Sequence, residues 1–189
     1  MKMGLKRVFL ALEVPDEIRQ DIECFKERLN TGEAMIKWVE PENLHINLRF
    51  FGEISEEEIK KIEECSKQIA DSQKPFELSI EGLGFFPNNI SPRVLWLGCT
   101  SKELLKLRFD LEQLFEEAGL GKEKKEYKPH ITLGRIKSKK EVRTLSKEVC
   151  KKSETRLGTF HADRITIFES RLSFKGPEYI KIAEFKLGG

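Results

Sequence analysis

The chain has 189 residues, 39% of them hydrophobic and 35% charged, with a formal net charge of only +2. That length can bury a proper core in one domain or two tightly joined lobes, and the composition excludes a disordered chain. The near-balanced charge gives no case for wrapping a nucleic acid by bulk attraction, so any RNA contact would come from a local patch.

No apolar run approaches the roughly 18 residues of a membrane span. The basic opening, Met1 to Leu10, carries no sustained apolar region or cleavage site, so a cytoplasmic protein with no membrane contact is expected. Arg7 to Val14 reads as a strand, and Pro15-Asp16 starts a helix carrying Ile18, Ile22, Phe25 and Leu29 at helical spacing. A short strand at Ile36 to Val39 leads into His45-Ile46-Asn47-Leu48. Ser55 to Glu58 is a capping-box pattern opening a charged helix to about Ala70. Phe76 to Ile80 is a strand continued to Phe86 and stopped by Pro87-Asn88-Asn89. The cysteines, Cys24, Cys65, Cys99 and Cys150, are scattered with no Cys-x-x-Cys pair and read as reduced thiols.

The pattern then begins again. Arg93 to Leu97 repeats Arg7 to Ala11 at an offset of 86, and His130 answers His45 at an offset of 85. A helix from Ser101 to Ala118 answers the one from Asp16, and a helix from Ser138 to about Ser153 answers the one from Ser55. Phe160 to Phe168 answers Phe76 onward at an offset of 84. The expected fold is therefore α+β: a duplicated β-α-β-α-β unit, roughly residues 5–88 and 91–172, closed by a strand pair over 173–187. A single bilobal domain is expected, in which a two-fold relation between the units would set the two histidine strands face to face across a cleft.

Alternation on these strands places His45, Asn47 and Arg49 on one face, and His130 and Thr132 together in the second copy. Imidazole titrates near 6.5, so one histidine can be a base while the other is an acid. A displacement that needs one proton removed and another delivered, such as phosphodiester cleavage, suits the pair. The Asn47 amide and the Thr132 hydroxyl can donate to non-bridging phosphate oxygens. Neither histidine has a second ligand at metal spacing on its strand, so the pattern is not that of a metal site. His161 lacks this context and reads as structural. Lys122 to Lys125, Lys128, Arg135, Lys137, Lys139 and Lys140 form a basic run, either a solvated loop or a guide for an RNA end.

These residues resemble a known family. His45-Ile-Asn-Leu48 and His130-Ile-Thr-Leu133 are similar to the paired His-x-Thr-x motifs of the two-histidine phosphoesterase superfamily. More closely, the chain resembles the RNA 2′,3′-cyclic phosphodiesterase, or 2′-5′ RNA ligase, family. Supporting stretches are Arg7 to Ala11, Asn43 to Gly52, Pro92 to Trp96, Pro129 to Arg135, and Ser170-x-Leu172 with Gly176-Pro-x-Tyr179.

The resemblance implies two lobes with antiparallel sheets around a central groove, and no metal or organic cofactor. It implies hydrolysis of an RNA-terminal 2′,3′-cyclic phosphate to a 2′-phosphate, with His45 as proton donor to the 3′ oxygen and His130 as base. Reversible 2′-5′ ligation would follow if a 5′-hydroxyl replaced water. The expected partners are RNA ends or nucleotides carrying the cyclic phosphate; no obligate protein partner is expected, and the chain is expected to be a monomer. Asn47 departs from the family threonine and favours the alternative, a catalytically weak RNA- or nucleotide-binding module. Arg49 is a candidate substrate contact through its face. Arg135 is one only if Gly134 marks a bulge that overrides strict alternation.

Overall fold

The computed structural model describes residues 4–137, 142–174 and 176–188. In chain order these form β1 (Lys6–Glu13), α1 (Asp16–Glu27), β2 (Ile36–Trp38), β3 (His45–Ile54), α2 (Glu56–Ser72), β4 (Phe76–Phe86) and β5 (Val94–Thr100). There follow α3 (Lys102–Glu117), β6 (His130–Ile136), α4 (Val142–Lys151), β7 (Arg156–Ala162), β8 (Arg164–Ser173) and β9 (Gly176–Lys186). The start of the helix expected from Ser138 lies outside the described residues, as do Lys139 and Lys140.

Local chemistry sets several boundaries. The capping box forms: Ser55 Oγ accepts from the Glu58 N–H at 3.3 Å, and the Glu58 carboxylate accepts from the Ser55 N–H at 2.8 Å. Ser101 caps α3 by accepting from the Leu104 N–H. The strand expected over Phe160 to Phe168 is two strands. It breaks at Asp163, because residues up to Ala162 pair with β4 while those from Arg164 pair with β9 and then β1.

The strands form one antiparallel sheet in the order β7-β4-β5-β6-β3-β1-β8-β9, with β2 added to β6. The order is symmetric about the β3–β6 seam. Each half takes its third strand from the opposite half of the chain: β4 pairs with β5, and β8 pairs with β1. A single residue, Asp163, carries the chain from β7 in one half to β8 in the other. Two Cα steps span at most about 7.6 Å, so the sheet curls until its halves approach there.

Val8, Leu10 and Leu12 of β1 share one continuous core with Ile22 of α1, Ile62 of α2, Leu111 of α3 and Leu145 of α4. The alternate residues Phe9 and Ala11 are buried on the opposite face against Phe168. One face of the curled sheet is thus sealed by helices, and the other forms the floor and walls of a groove. Among the described residues no helix is long and apolar enough to cross a membrane.

Candidate active site

The two histidine strands are neighbours in one sheet. Ile46 and Ile131, both fully buried in the core, are the registered partners of β3 and β6. Antiparallel geometry then sets His45 opposite Thr132 and Asn47 opposite His130, all four side chains on the groove face. This corrects the expectation of strands facing each other across a cleft: the histidines rise side by side from a common floor. They occupy diagonal positions, about 7–8 Å apart at Cα in a regular pair, so a group seated over the seam is flanked by both rings.

Each ring is held the same way. His45 Nδ1 lies 2.7 Å from the Asn43 carbonyl oxygen, and His130 Nδ1 lies 2.6 Å from the Lys128 carbonyl oxygen. A carbonyl only accepts, so both rings carry their proton on Nδ1 and leave Nε2 free. Burial pushes the pKa of both histidines below the usual value, the carbonyl contact opposes it, and at His45 the neighbouring His130 lowers it further. Both are therefore neutral near pH 7.

The walls differ. His45 touches Phe9 at 4.9 Å and Tyr179 at 5.3 Å between ring centroids, whereas His130 meets the edge of Phe86 at 4.8 Å and Trp96 at 6.4 Å. Beside His45 a cavity of about 200 Å³ is lined by Glu13, Arg19, Asn43, Tyr179 and Lys181, among others. Asn47 and Thr132 are half-buried, and neither side chain is in a hydrogen bond with another described residue. Their donors remain available to a ligand.

Arg49 does not share the His45 face. Leu10 pairs with Arg49 and Ala11 with Asn47, so Leu48 is an extra residue, and this β-bulge turns Arg49 toward the helices. There it is 7% exposed and bonds the Glu112 carboxylate at 2.9 Å and the Leu120 carbonyl at 2.8 Å. It is not placed to touch a substrate in the groove. Arg135 shows the converse. Trp96 pairs with Thr132 and Leu95 with Gly134, so Leu133 is the extra residue and Arg135 returns to the groove side, exposed. Burial raises the Tyr179 phenol pKa, while the nearby charges of Arg135 and Arg7 lower it.

Sequence reasoning missed the ring contacts of Phe9, Phe86 and Tyr179. The stretches Arg7 to Ala11 and Gly176-Pro-x-Tyr179 contain Phe9 and Tyr179, but no stretch pointed to Phe86. His161 is exposed on the edge strand β7. Lys122 and Lys128 stand exposed beside Glu116 and Glu126, as in a solvated loop. Among the described residues no group of three histidine, cysteine or carboxylate side chains is placed to hold a metal ion.

A family model described as the 2′-5′ RNA ligase superfamily matches residues 14–172. A Methanothermobacter thermautotrophicus protein named RNA 2′,3′-cyclic phosphodiesterase is 32% identical over 182 residues, covering 96% of this chain and 98% of its own. An Archaeoglobus fulgidus protein of the same name is 37% identical, with coverage of 95% and 99%. A Thermus thermophilus crystal structure matches the fold with a TM-score of 0.81 and 28% identity, covering 96% of this chain and 97% of that one. Escherichia coli LigT complexed with 3′-AMP matches with a TM-score of 0.77 and 25% identity, covering 98% and 99%.

Proposed function

The chain belongs to the 2′-5′ RNA ligase superfamily, and we propose that it hydrolyses RNA-terminal 2′,3′-cyclic phosphates to 2′-phosphates by two-histidine acid–base catalysis. The observation that carries this reading is the matched pair of rings, each with Nδ1 tied to a backbone carbonyl two residues upstream and Nε2 free. The names of the curated relatives support the same substrate class.

The phosphate sits over the seam between the two Nε2 atoms. His130 Nε2 takes a proton from water as the water oxygen attacks phosphorus in line. His45, protonated at Nε2, delivers that proton to the departing 3′ oxygen. The P–O3′ bond breaks, leaving a 2′-phosphomonoester and a free 3′-hydroxyl. Asn47 and Thr132 donate to the non-bridging oxygens, where the negative charge of the transition state concentrates. Burial favours the neutral form of both rings, so the arriving phosphodiester anion supplies the field that lets one ring hold a proton. A 5′-hydroxyl in place of water gives a 2′,5′ linkage by the same bond changes.

The protein acts as a monomer in the cytoplasm on this account, a compartment in keeping with its free cysteines. Turnover of a 2′,3′-cyclic nucleotide or a short RNA bearing that end tests the reading, with the product identified by phosphorus NMR. The expected product is the 2′-phosphate, formed equally well after exhaustive EDTA treatment. Tight binding without turnover would support the capture-only groove that Asn47 favours. A 3′-phosphate product, or a strict need for one divalent ion, would overturn the mechanism.

A further inference from the structure

The loop from Leu120 to Pro129 delivers His130 to the groove, yet residues 121–129 form no helix or strand of their own. Pro129 is held to β5 by the Cys99 N–H at 3.1 Å, and restraints on the rest of the loop converge on a buried ionic cluster beneath the other half of the site. Arg49 donates to the carbonyl oxygens of Leu120 and Gly121 at 2.8 and 3.1 Å, and to Glu112 at 2.9 Å. Glu112 accepts from the Glu123 backbone N–H at 2.8 Å and forms an ion pair with Arg108. The Arg108 guanidinium lies over the Tyr127 ring, 5.2 Å from its centroid. Tyr127 is one residue before Lys128, whose carbonyl holds His130 in its Nδ1–H form.

We propose that Arg49, Glu112, Arg108 and Tyr127 are positioning residues that fix the tautomer and aim of His130. The strand that carries the first motif thereby sets up the second. Arg49 suits the task because one nitrogen of its planar fork meets a carboxylate while another meets two carbonyls, a fixed geometry that the single nitrogen of a lysine lacks. Phe51 and Phe115 pack side by side against the Arg49 guanidinium, at 5.0 and 5.2 Å, and limit how far the fork can turn. Glu112 is the hub: one oxygen meets both guanidiniums and the other meets the loop backbone. Two guanidiniums against one carboxylate would leave an uncompensated cation, and the Leu120 and Gly121 carbonyl dipoles offset it. The charge balance therefore ties the loop to the cluster.

Nothing in this chain of contacts touches the lead-in of His45, and that difference supplies the test. Its catalytic consequence rests on the hydrolase reading, while its structural content is read by nitrogen-15 NMR of the two imidazoles without any substrate. In Glu112→Gln the His130 ring should lose its uniform Nδ1–H form and show a shifted titration, with His45 little changed. The kcat for a 2′,3′-cyclic nucleotide should fall about ten- to a hundredfold, as expected for sub-ångström to ångström misplacement of a catalytic group, with KM nearly constant. Arg49→Lys, which keeps the charge and loses the fork, should show the same His130 signature in weaker form and serves if Glu112→Gln does not fold. Unchanged His130 signals in either folded variant, or equal changes at both histidines, would overturn the proposal. An inactive wild-type protein with the predicted His130 signature would instead overturn the hydrolase reading and leave the positioning role standing.

Discussion

The two half-sites present their chemistry alike and are supported differently. Both histidines sit at the start of a strand, both bond a carbonyl two residues back, and both are followed three residues later by a bulge at a buried leucine, Leu48 or Leu133. Beneath that likeness the supports diverge. His45 follows a single 3-10 turn over Pro41–Asn43, with the Asn43 N–H on the Glu40 carbonyl and the Leu44 N–H on that of Pro41, and the Asn43 side chain donates to the Pro177 carbonyl at 3.4 Å. His130 follows an irregular loop held at Pro129 by the Cys99 N–H of β5 and farther back by Arg49 and Glu112. The position after the bulged leucine is Arg49 in one copy and Gly134 in the other. A Cβ at Gly134 would come within 2.6 Å of the Ile36 side chain of β2. The pairing of ring, donor and bulge is what acid–base chemistry at a phosphate requires. The scaffolding under each copy is free to differ so long as it fixes the same ring atoms.

Replacing either histidine is the largest way to break the likeness. His45→Ala and His130→Ala should each lower kcat by about 10² to 10⁴. The double variant should be little worse than the poorer single one, because the two act in one displacement. Near-wild-type turnover in either single variant, in a steady-state assay, would mean the copies are not partners.

The donors two residues on come next. Thr132→Ala should lower kcat/KM by about one to two orders of magnitude, scaled down from the 2.7–4 kcal/mol typical of an oxyanion donor because the groove is open to solvent. Asn47→Thr should leave kcat/KM within a few-fold if the amide is an equivalent donor, whereas a sharp rise would mark the first copy as weakened. Wild-type binding and turnover in Asn47→Ala would remove Asn47 from the site.

Gly134→Ala tests the scaffold rather than the chemistry. The added methyl must displace Ile36 or the β2 backbone, costing about 1–3 kcal/mol of stability by overpacking. Denaturant unfolding reads it, with an unchanged midpoint contradicting the packing. The smallest effect is on the pH dependence of stability. Both histidine pKa values are depressed on folding, so their contribution is present above the unfolded value of about 6.5 and is lost as pH falls through the folded values. Thermal melts at falling pH should show that loss, and it should shrink in His45→Ala/His130→Ala.

Much of this was legible in the chain. The capping box at Ser55, the alternation around His45 and His130 and the order of helices and strands depend on neighbours in sequence, and local periodicity reports them. The two bulges do not. Each is set by register against a partner strand, β1 for Leu48 and β5 for Leu133, and a slip of one residue sends the next side chain to the other face. That slip reversed Arg49 and delivered Arg135 to the groove, although Gly134 had flagged the second. The break at Asp163 escaped for the same reason: the two ends of Phe160 to Phe168 pair with different distant strands. The side-by-side seating of the histidines is likewise a fact of sheet order, which internal repetition does not fix.

The most direct test of two histidines dividing one proton transfer is the pH dependence of kcat/KM for a 2′,3′-cyclic nucleotide. The base must be neutral and the acid protonated, so the profile should be a bell. With both pKa values depressed in the free protein, its optimum should lie on the acid side of about pH 6.5. His130→Ala should keep only the alkaline limb and His45→Ala only the acidic one. A flat profile, or a bell whose two limbs both survive in either variant, would contradict the account.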